Sequence, residues 1–334
     1  MFYVNLEQRS DAWHKWRKEG ITATEAVAIC GQSAYATPWR VWAEKTGRVA
    51  PPDLSDNPYV RYGIEHEDEV RNLFMQKHVD VVIPTCGENS DNRVFRASFD
   101  GINSNGEPVE IKCPGESTLE DVLARGTQSD AYQMYRWQVQ WQIMVADAPR
   151  GWLVFYLGNE RIKEFEVARD DEMIAEMKQK CLRFWEQNIM KDKAPEKIPD
   201  RDIYIPKGDD LIVWAKAAVD YRRIREEIDR LTALLEEPKK RLTALMGDFK
   251  NADFYGVSIC QYTQKGSIDY RQVLSQRGIL LTEQELETCR RKPNEVQKVS
   301  LSKSEFPSDF IPEKNEEICE AIRTIRTDRN NLCW

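Results

Sequence analysis

Ala97-Ser-Phe-Asp100-Gly101 and Val109-Glu110-Ile111-Lys112 lie on either side of the turn-rich segment Gly101-Ile-Asn-Ser-Asn-Gly106. Apolar residues flanking a Gly/Asn/Ser turn predict a β-hairpin, with strands over 94–99 and 109–113. Residues two apart in a strand share a face. Glu110 and Lys112 therefore point the same way, Ile111 points into the core, and Asp100 lies across the hairpin from them. Two carboxylates are hard oxygen donors suited to Mg²⁺, and a neighbouring ammonium can orient a water and stabilise charge on an attacked phosphate. Taken alone, an Asp followed by Glu-x-Lys is unspecific, because Glu and Lys in a hairpin commonly form a solvated pair.

Outward from the hairpin, residues 1–205 alternate helical and strand-like patterns, as an α/β domain does. Thr22-Ala-Thr-Glu25 has the spacing of a capping box and predicts a helix running to Cys30. Residues 63–77 read as an amphipathic helix, with Val70, Leu73 and Phe74 on one side and Glu65, Glu67, Asp68 and Glu69 among its charges. An aromatic and glutamine-rich helix is expected over 132–145 and a buried strand over 151–157. Pro195, Pro199 and Pro206 mark a connection to a second region, 206–334. There Leu211, Trp214, Ala218, Tyr221, Ile228, Leu231 and Leu235 recur three or four apart until Pro238, which predicts two long helices in a hairpin. A strand over 256–263, a turn over 266–270, and charged helices and loops to Trp334 complete the expectation.

The chain has 334 residues, 41% hydrophobic and 31% charged, the balance of a folded globular protein. No apolar run is long enough for a bilayer span, and the start is polar and aromatic, so a cytoplasmic protein is expected. Eight scattered cysteines without a CxxC pair and three distant histidines, His14, His66 and His78, give no support to a zinc or iron–sulfur module. A formal charge of −8 excludes a surface that is basic all over, though not a local basic channel. Trp137, Trp141 and Trp152 could stack on bases, but their apolar surroundings favour core packing.

Six segments occur in order: Trp13-His-Lys-Trp-Arg17, Ile21-Thr-Ala-Thr-Glu25, Gly63-Ile-Glu-His-Glu67, Ala97-Ser-Phe-Asp100-Gly101, Glu110-Ile-Lys-Cys-Pro114 and Gln138-Val-Gln-Trp-Gln142. With them the chain, over about residues 9–190, resembles the lambda-exonuclease-like, YqaJ-type viral recombinase nucleases of the PD-(D/E)XK class. The resemblance implies a restriction-endonuclease-like core with a mixed central sheet, followed here by a mostly helical extension. It implies a Mg²⁺-dependent 5′-to-3′ exonuclease, with Mn²⁺ as substitute, that acts on ends of duplex DNA and leaves 3′ overhangs. A single-strand annealing recombinase as partner and a homotrimeric ring are further implications. Carried over, Asp100, Glu110, the Ile111 carbonyl and Glu67 would hold metal, and Lys112 would position the water. One of Gln138 and Gln140 would support the site, with Gln140 preferred. Arg17, Thr22 and Thr24 would grip a terminal 5′ phosphate, and Val60 stands where relatives place a larger apolar wedge. Phe99 departs from the usual proline without removing a ligand. An endonuclease on the same core and a non-catalytic DNA-end-binding module remain as alternatives at this point.

Overall fold

In the computed structural model, the described residues are 1–254, 256–263, 266, 268, 270–279, 288 and 289. The chain divides into two units, Met1–Ile205 and Pro206–Trp334. The first is built on a six-stranded sheet whose spatial order follows the sequence: β1 (Phe2–Val4), β2 (Ile83–Glu88), β3 (Arg96–Ile102), β4 (Pro108–Lys112), β5 (Arg150–Gly158) and β6 (Arg161–Ala168). All neighbours are antiparallel except β4 and β5, so the sheet is mixed, as expected. Its helices are α1 (Asp11–Lys18), α2 (Ala23–Ile29), α3 (Pro38–Lys45), α4 (Pro58–His78), α5 (Glu116–Arg125), α6 (Asp130–Ala146) and α7 (Asp171–Phe184). A parallel neighbour cannot be reached by a tight turn, and here α5 and α6 carry the chain from β4 to β5.

Strand alternation divides the sheet into two covered faces. Val109 and Ile111 of β4 and Val154 of β5 pack with Val70 and Phe74 of α4. Leu153 and Phe155, the register partners of Glu110 and Lys112, join the larger cluster that contains Val139 and Ile143 of α6. Consequently Glu110 and Lys112 look toward α6, and α4 lies behind the strand. Gly151 is needed for the close approach of that layer, since a Cβ there would stand 2.9 Å from Val139 and 3.0 Å from Pro108. Trp141 is wholly buried, its ring edge-on to Phe95 and its indole N–H donating to the Arg96 carbonyl, so it packs in the core as expected.

The second unit, within its described residues, holds α8 (Asp209–Leu245), a hairpin of β7 (Asn251–Phe254) and β8 (Val257–Cys260), and α9 (Tyr270–Gln276). One expectation is overturned here. Instead of two helices meeting at Pro238, a single helix runs from Asp209 to Leu245 with Pro238 inside it. Proline removes one i→i−4 hydrogen bond, but Leu234-Leu-Glu-Glu-Pro-Lys-Lys-Arg241 offers no Gly, Asn, Asp or Ser from which to build a reversal. Strong helix formers on both sides carry the helix through. Parts of the turn expected over 266–270, and most of the helices and loops expected beyond it, lie outside the described residues.

Candidate active site

The antiparallel ladder between β3 and β4 pairs Ile102 with Pro108 and Gly101 with Val109, and goes no further. Where Asp100 and Glu110 would form the next pair, the Asp100 carboxylate accepts a 2.9 Å hydrogen bond from the Ile111 N–H, so a side chain takes the place of a ladder bond. The two acids and Lys112 thus stand where the strands part. Glu110 is 2% exposed and accepts three hydrogen bonds: Lys112 and Gln138 donate to Oε1, the latter at 2.5 Å, and Gln142 donates to Oε2 at 2.5 Å, which leaves Oε2 able to accept one more partner.

The electrostatics of this group are unbalanced. Burial, with Glu110 and Glu67 adding repulsion, raises the Asp100 pKa to about 8 despite Lys112 and the Ile111 N–H. At Lys112 burial works against the ammonium, but Glu110 and Asp100 outweigh it and raise its pKa above the usual lysine value. The lysine therefore stays charged. A divalent cation between Asp100 and Glu110 would relieve the repulsion, and two carboxylates with water and a carbonyl are an ordinary Mg²⁺ donor set. Among the described residues no three His, Cys, Asp or Glu side chains gather as a ready-made metal cluster.

Other predicted residues fall differently. Glu67 lies on α4, and its carboxylate is held by Arg71 at 2.7 Å and Arg9 at 2.7 Å. It is close enough to act on Asp100, but its oxygens are occupied by guanidinium groups. Arg71, which sequence reasoning passed over, also donates to the Asp100 carbonyl at 2.8 Å and to Asp68, tying α4 to β3.

Gln140 corrects an expectation. Its amide donates to the Ala168 carbonyl at 2.6 Å and accepts from the Asp170 N–H at 3.0 Å, bracing the β6–α7 junction away from Glu110. Gln138, the less favoured choice, reaches Glu110, and so does Gln142, which was quoted but given no role. The signal was present in the spacing: residues four apart share a helix face, whereas residues two apart do not. Gln142 Oε1 is buried without a hydrogen-bond partner, a cost tolerated for its amide's contact with Glu110. We expect Gln142→Ala to lower stability by about 1–3 kcal/mol and to slow turnover, because it strips a donor from a buried carboxylate. Gln140→Ala should lower stability by a similar amount and leave the rate per folded molecule unchanged. Thermal melts and turnover on the two variants check the contrast.

A second group stands at the start of α2. Glu25 accepts from the Thr22 N–H at 2.8 Å, the carboxylate half of the expected capping box, and from the Thr22 hydroxyl at 2.9 Å. The Arg17 guanidinium lies 3.3 Å from the Thr22 hydroxyl and 3.4 Å from that of Thr24, with its carbon 4.5 Å from the Trp13 ring centroid. Burial lowers its pKa, while Glu25, Cys86 and Glu110 act in the opposite direction. Arginine remains charged under such a shift, and Glu110 is one of the acids whose field reaches it. Lys45, invisible as a site residue in the sequence, ion-pairs with Glu25 at 2.9 Å and donates to the carbonyls of Arg17 and Gly20, fixing the α1–α2 corner. Val60, half-buried in the first turn of α4, is less prominent than its neighbour Tyr59, which is 65% exposed and packs against Gly115.

With this geometry in place, the relatives can be set beside it. Residues 12–149 match the family of the YqaJ-like viral recombinase domain. The Bacillus subtilis (strain 168) protein YqaJ is 24% identical over 199 residues, 57% of this chain and 60% of that protein. Protein R354 of Acanthamoeba polyphaga mimivirus is 29% identical over 122 residues, 33% of this chain and 22% of that one. The chain therefore spans less than two thirds of the length of either. Among solved structures, it is similar to an alkaline exonuclease, LHK-Exo, of Laribacter hongkongensis, at 18% identity and a TM-score of 0.46, over 55% of this chain and 94% of that one. A phage-related exonuclease of Haemophilus somnus 129PT gives 13% identity and a TM-score of 0.40, over 52% and 96% of the two chains. Arg17, Thr22, Thr24, Asp100, Glu110, Lys112, Gln138 and Gln142 all fall inside the matched segment.

Proposed function

We propose that this protein is a divalent-cation-dependent exonuclease that digests linear duplex DNA from its 5′ ends and leaves 3′ overhangs for strand annealing. The observation that carries the reading is the meeting of Asp100, Glu110 and Lys112 where β3 and β4 part. Asp100 and Glu110, with the Ile111 carbonyl, would hold Mg²⁺. The cation, when bound, supplies Lewis-acid stabilisation of the attacked phosphate. Gln138 and Gln142 fix the Glu110 carboxylate in one orientation, so no reorganisation is needed at the moment of reaction. Lys112, held charged by its neighbours, orients the attacking water and meets negative charge developing on the phosphate. Arg17 and the two threonine hydroxyls receive the terminal 5′ phosphate at the capped start of α2. Digestion of linear duplex in Mg²⁺ but not in EDTA, with covalently closed plasmid spared, tests the reading; an equal attack on the closed circle would contradict the exonuclease part of it.

A pH dependence follows from Asp100. Its folded pKa, about 8, lies above the value of about 4 for a free aspartate, so the metal-free protein keeps this carboxyl protonated at neutral pH. The stability conferred by that raised pKa is fully present below about pH 4 and is lost as pH rises through about 8. Cation binding must displace the same proton, so Mg²⁺ affinity should climb with pH and level off above about 8. Melting temperatures in EDTA should therefore fall across that window for the native chain and stay flatter for Asp100→Asn. Parallel curves for the two would remove Asp100 as the titrating group.

A further inference from the structure

Helix α8 has 37 residues and so is about 55 Å long. Burial is confined to one side of its first part, and every residue from 227 to 242 is exposed. Leu211, Ala215, Ala218, Val219 and Arg222 form a half-buried to buried side. Elsewhere on the helix Ile224, Ile228, Leu231, Leu235, Leu242 and Leu245 are 55, 48, 51, 63, 38 and 84% exposed. Their spacing alternates four and three, and the one longer step, from Leu235 to Leu242, is bridged by Pro238 at the intermediate position. The repeat is thus seven residues throughout, a period of 3.5. A helix packing on its own domain presents a broader stripe at 3.6, whereas a strict seven-residue repeat keeps a narrow seam facing another helix along its whole length. An exposed stripe of this extent is also more apolar surface than isolated surface leucines account for.

We infer that this stripe is the seam of a coiled coil formed with α8 of another copy of the same chain. The seam places Ile228, Leu235 and Leu242 at one core position and Ile224, Leu231 and Leu245 at the other, the aliphatic types that fill such layers. One flanking charge finds its complement in a second copy in either orientation. With two copies parallel, Asp220 on one edge faces Arg225 on the facing edge of the partner helix; with two copies antiparallel, Asp220 faces Arg241. These side chains are held within their own helix only by exposed pairs, Arg223–Asp220, Arg225–Asp229 and Arg241–Glu237, which contribute little and are readily exchanged. Pro238 keeps the seam apolar, and the helix continues through it. The inference is independent of the chemistry at Asp100 and Glu110.

Sedimentation equilibrium on the full chain tests it, with the Leu231→Asp/Leu235→Asp double variant, the milder Leu231→Gln, and Lys240→Ala on the outer side as control. The native chain and the control should have a mass of more than one copy. Both seam variants should retain their helical circular dichroism and dissociate at least about tenfold more readily. The inference is overturned if the native chain has the mass of a single copy at all concentrations, or if a folded seam variant keeps the native mass. The second result would mean that another protein, or another segment of this chain, covers the stripe.

Discussion

Lys112→Ala is expected to reduce the rate of phosphodiester cleavage by roughly 10²–10³-fold while leaving duplex binding almost intact. Removing a single charge-stabilising donor from a preorganised site has an effect of that size because the contact strengthens as negative charge develops. The metal-binding acids remain, but Glu110 loses one of the donors to Oε1 and Asp100 loses the cation that opposes its raised pKa. Cation affinity should therefore shift toward higher pH in the variant, a secondary effect opposite to what loss of a metal ligand would give at high pH. Single-turnover digestion of a labelled linear duplex, compared with binding of the same duplex in Ca²⁺, separates the two contributions. A variant that cuts at near-native rate would remove Lys112 from the chemistry.

Arg17→Ala should slow digestion of 5′-phosphorylated ends about thirty- to a hundredfold more than that of 5′-hydroxyl ends. A lost charge-assisted contact to phosphate is worth on the order of 2–3 kcal/mol, which gives that ratio. The structure presents Arg17 stacked on Trp13 between the hydroxyls of Thr22 and Thr24, a fixed position rather than a mobile surface charge. A general basic residue would slow both substrates alike and lose its influence with added salt. Equal slowing of the two ends would leave the carboxylate site standing but take the terminal phosphate away from Arg17.

Of the residues behind those two predictions, Lys112 was legible from local pattern, whereas Arg17 came from the resemblance. The hairpin, its i and i+2 carboxylate and lysine, and the capping box at Thr22 are local signals, because strand alternation and helix capping are properties of a few consecutive residues. The central mixed sheet was expected as a class, but β1, β2 and β6 were not. Ile83-Pro-Thr-Cys-Gly-Glu88 contains a proline and a glycine and shows no alternation, and it becomes a strand only because β3 and β1 pair with its two edges. Arg71 and Lys45 were illegible for a different reason: each is one basic residue among many, and the contacts that give it a place at the site, Arg71 to Asp100 and Lys45 to Arg17 and Gly20, join residues 29, 28 and 25 positions apart. Gln142 was within reach, since it follows Gln138 by one helical repeat, and it was missed because faces were compared for Gln138 and Gln140 alone. At Pro238 the opposite error arose, a local breaker being given more weight than the helix formers around it and the lack of any turn residue.

The central claim is that Asp100 and Glu110 together hold the cation on which cleavage depends. Its most direct measurement is calorimetric titration of Mg²⁺ into the native chain and into Asp100→Ala at pH 8, with digestion of 5′-labelled linear duplex followed on the same samples. The account predicts cation binding and digestion in the native chain and the loss of both in the variant, which stays folded because a buried, repelled carboxyl has been removed. Native-like Mg²⁺ affinity in Asp100→Ala, or unimpaired release of nucleotides by it, would contradict the account.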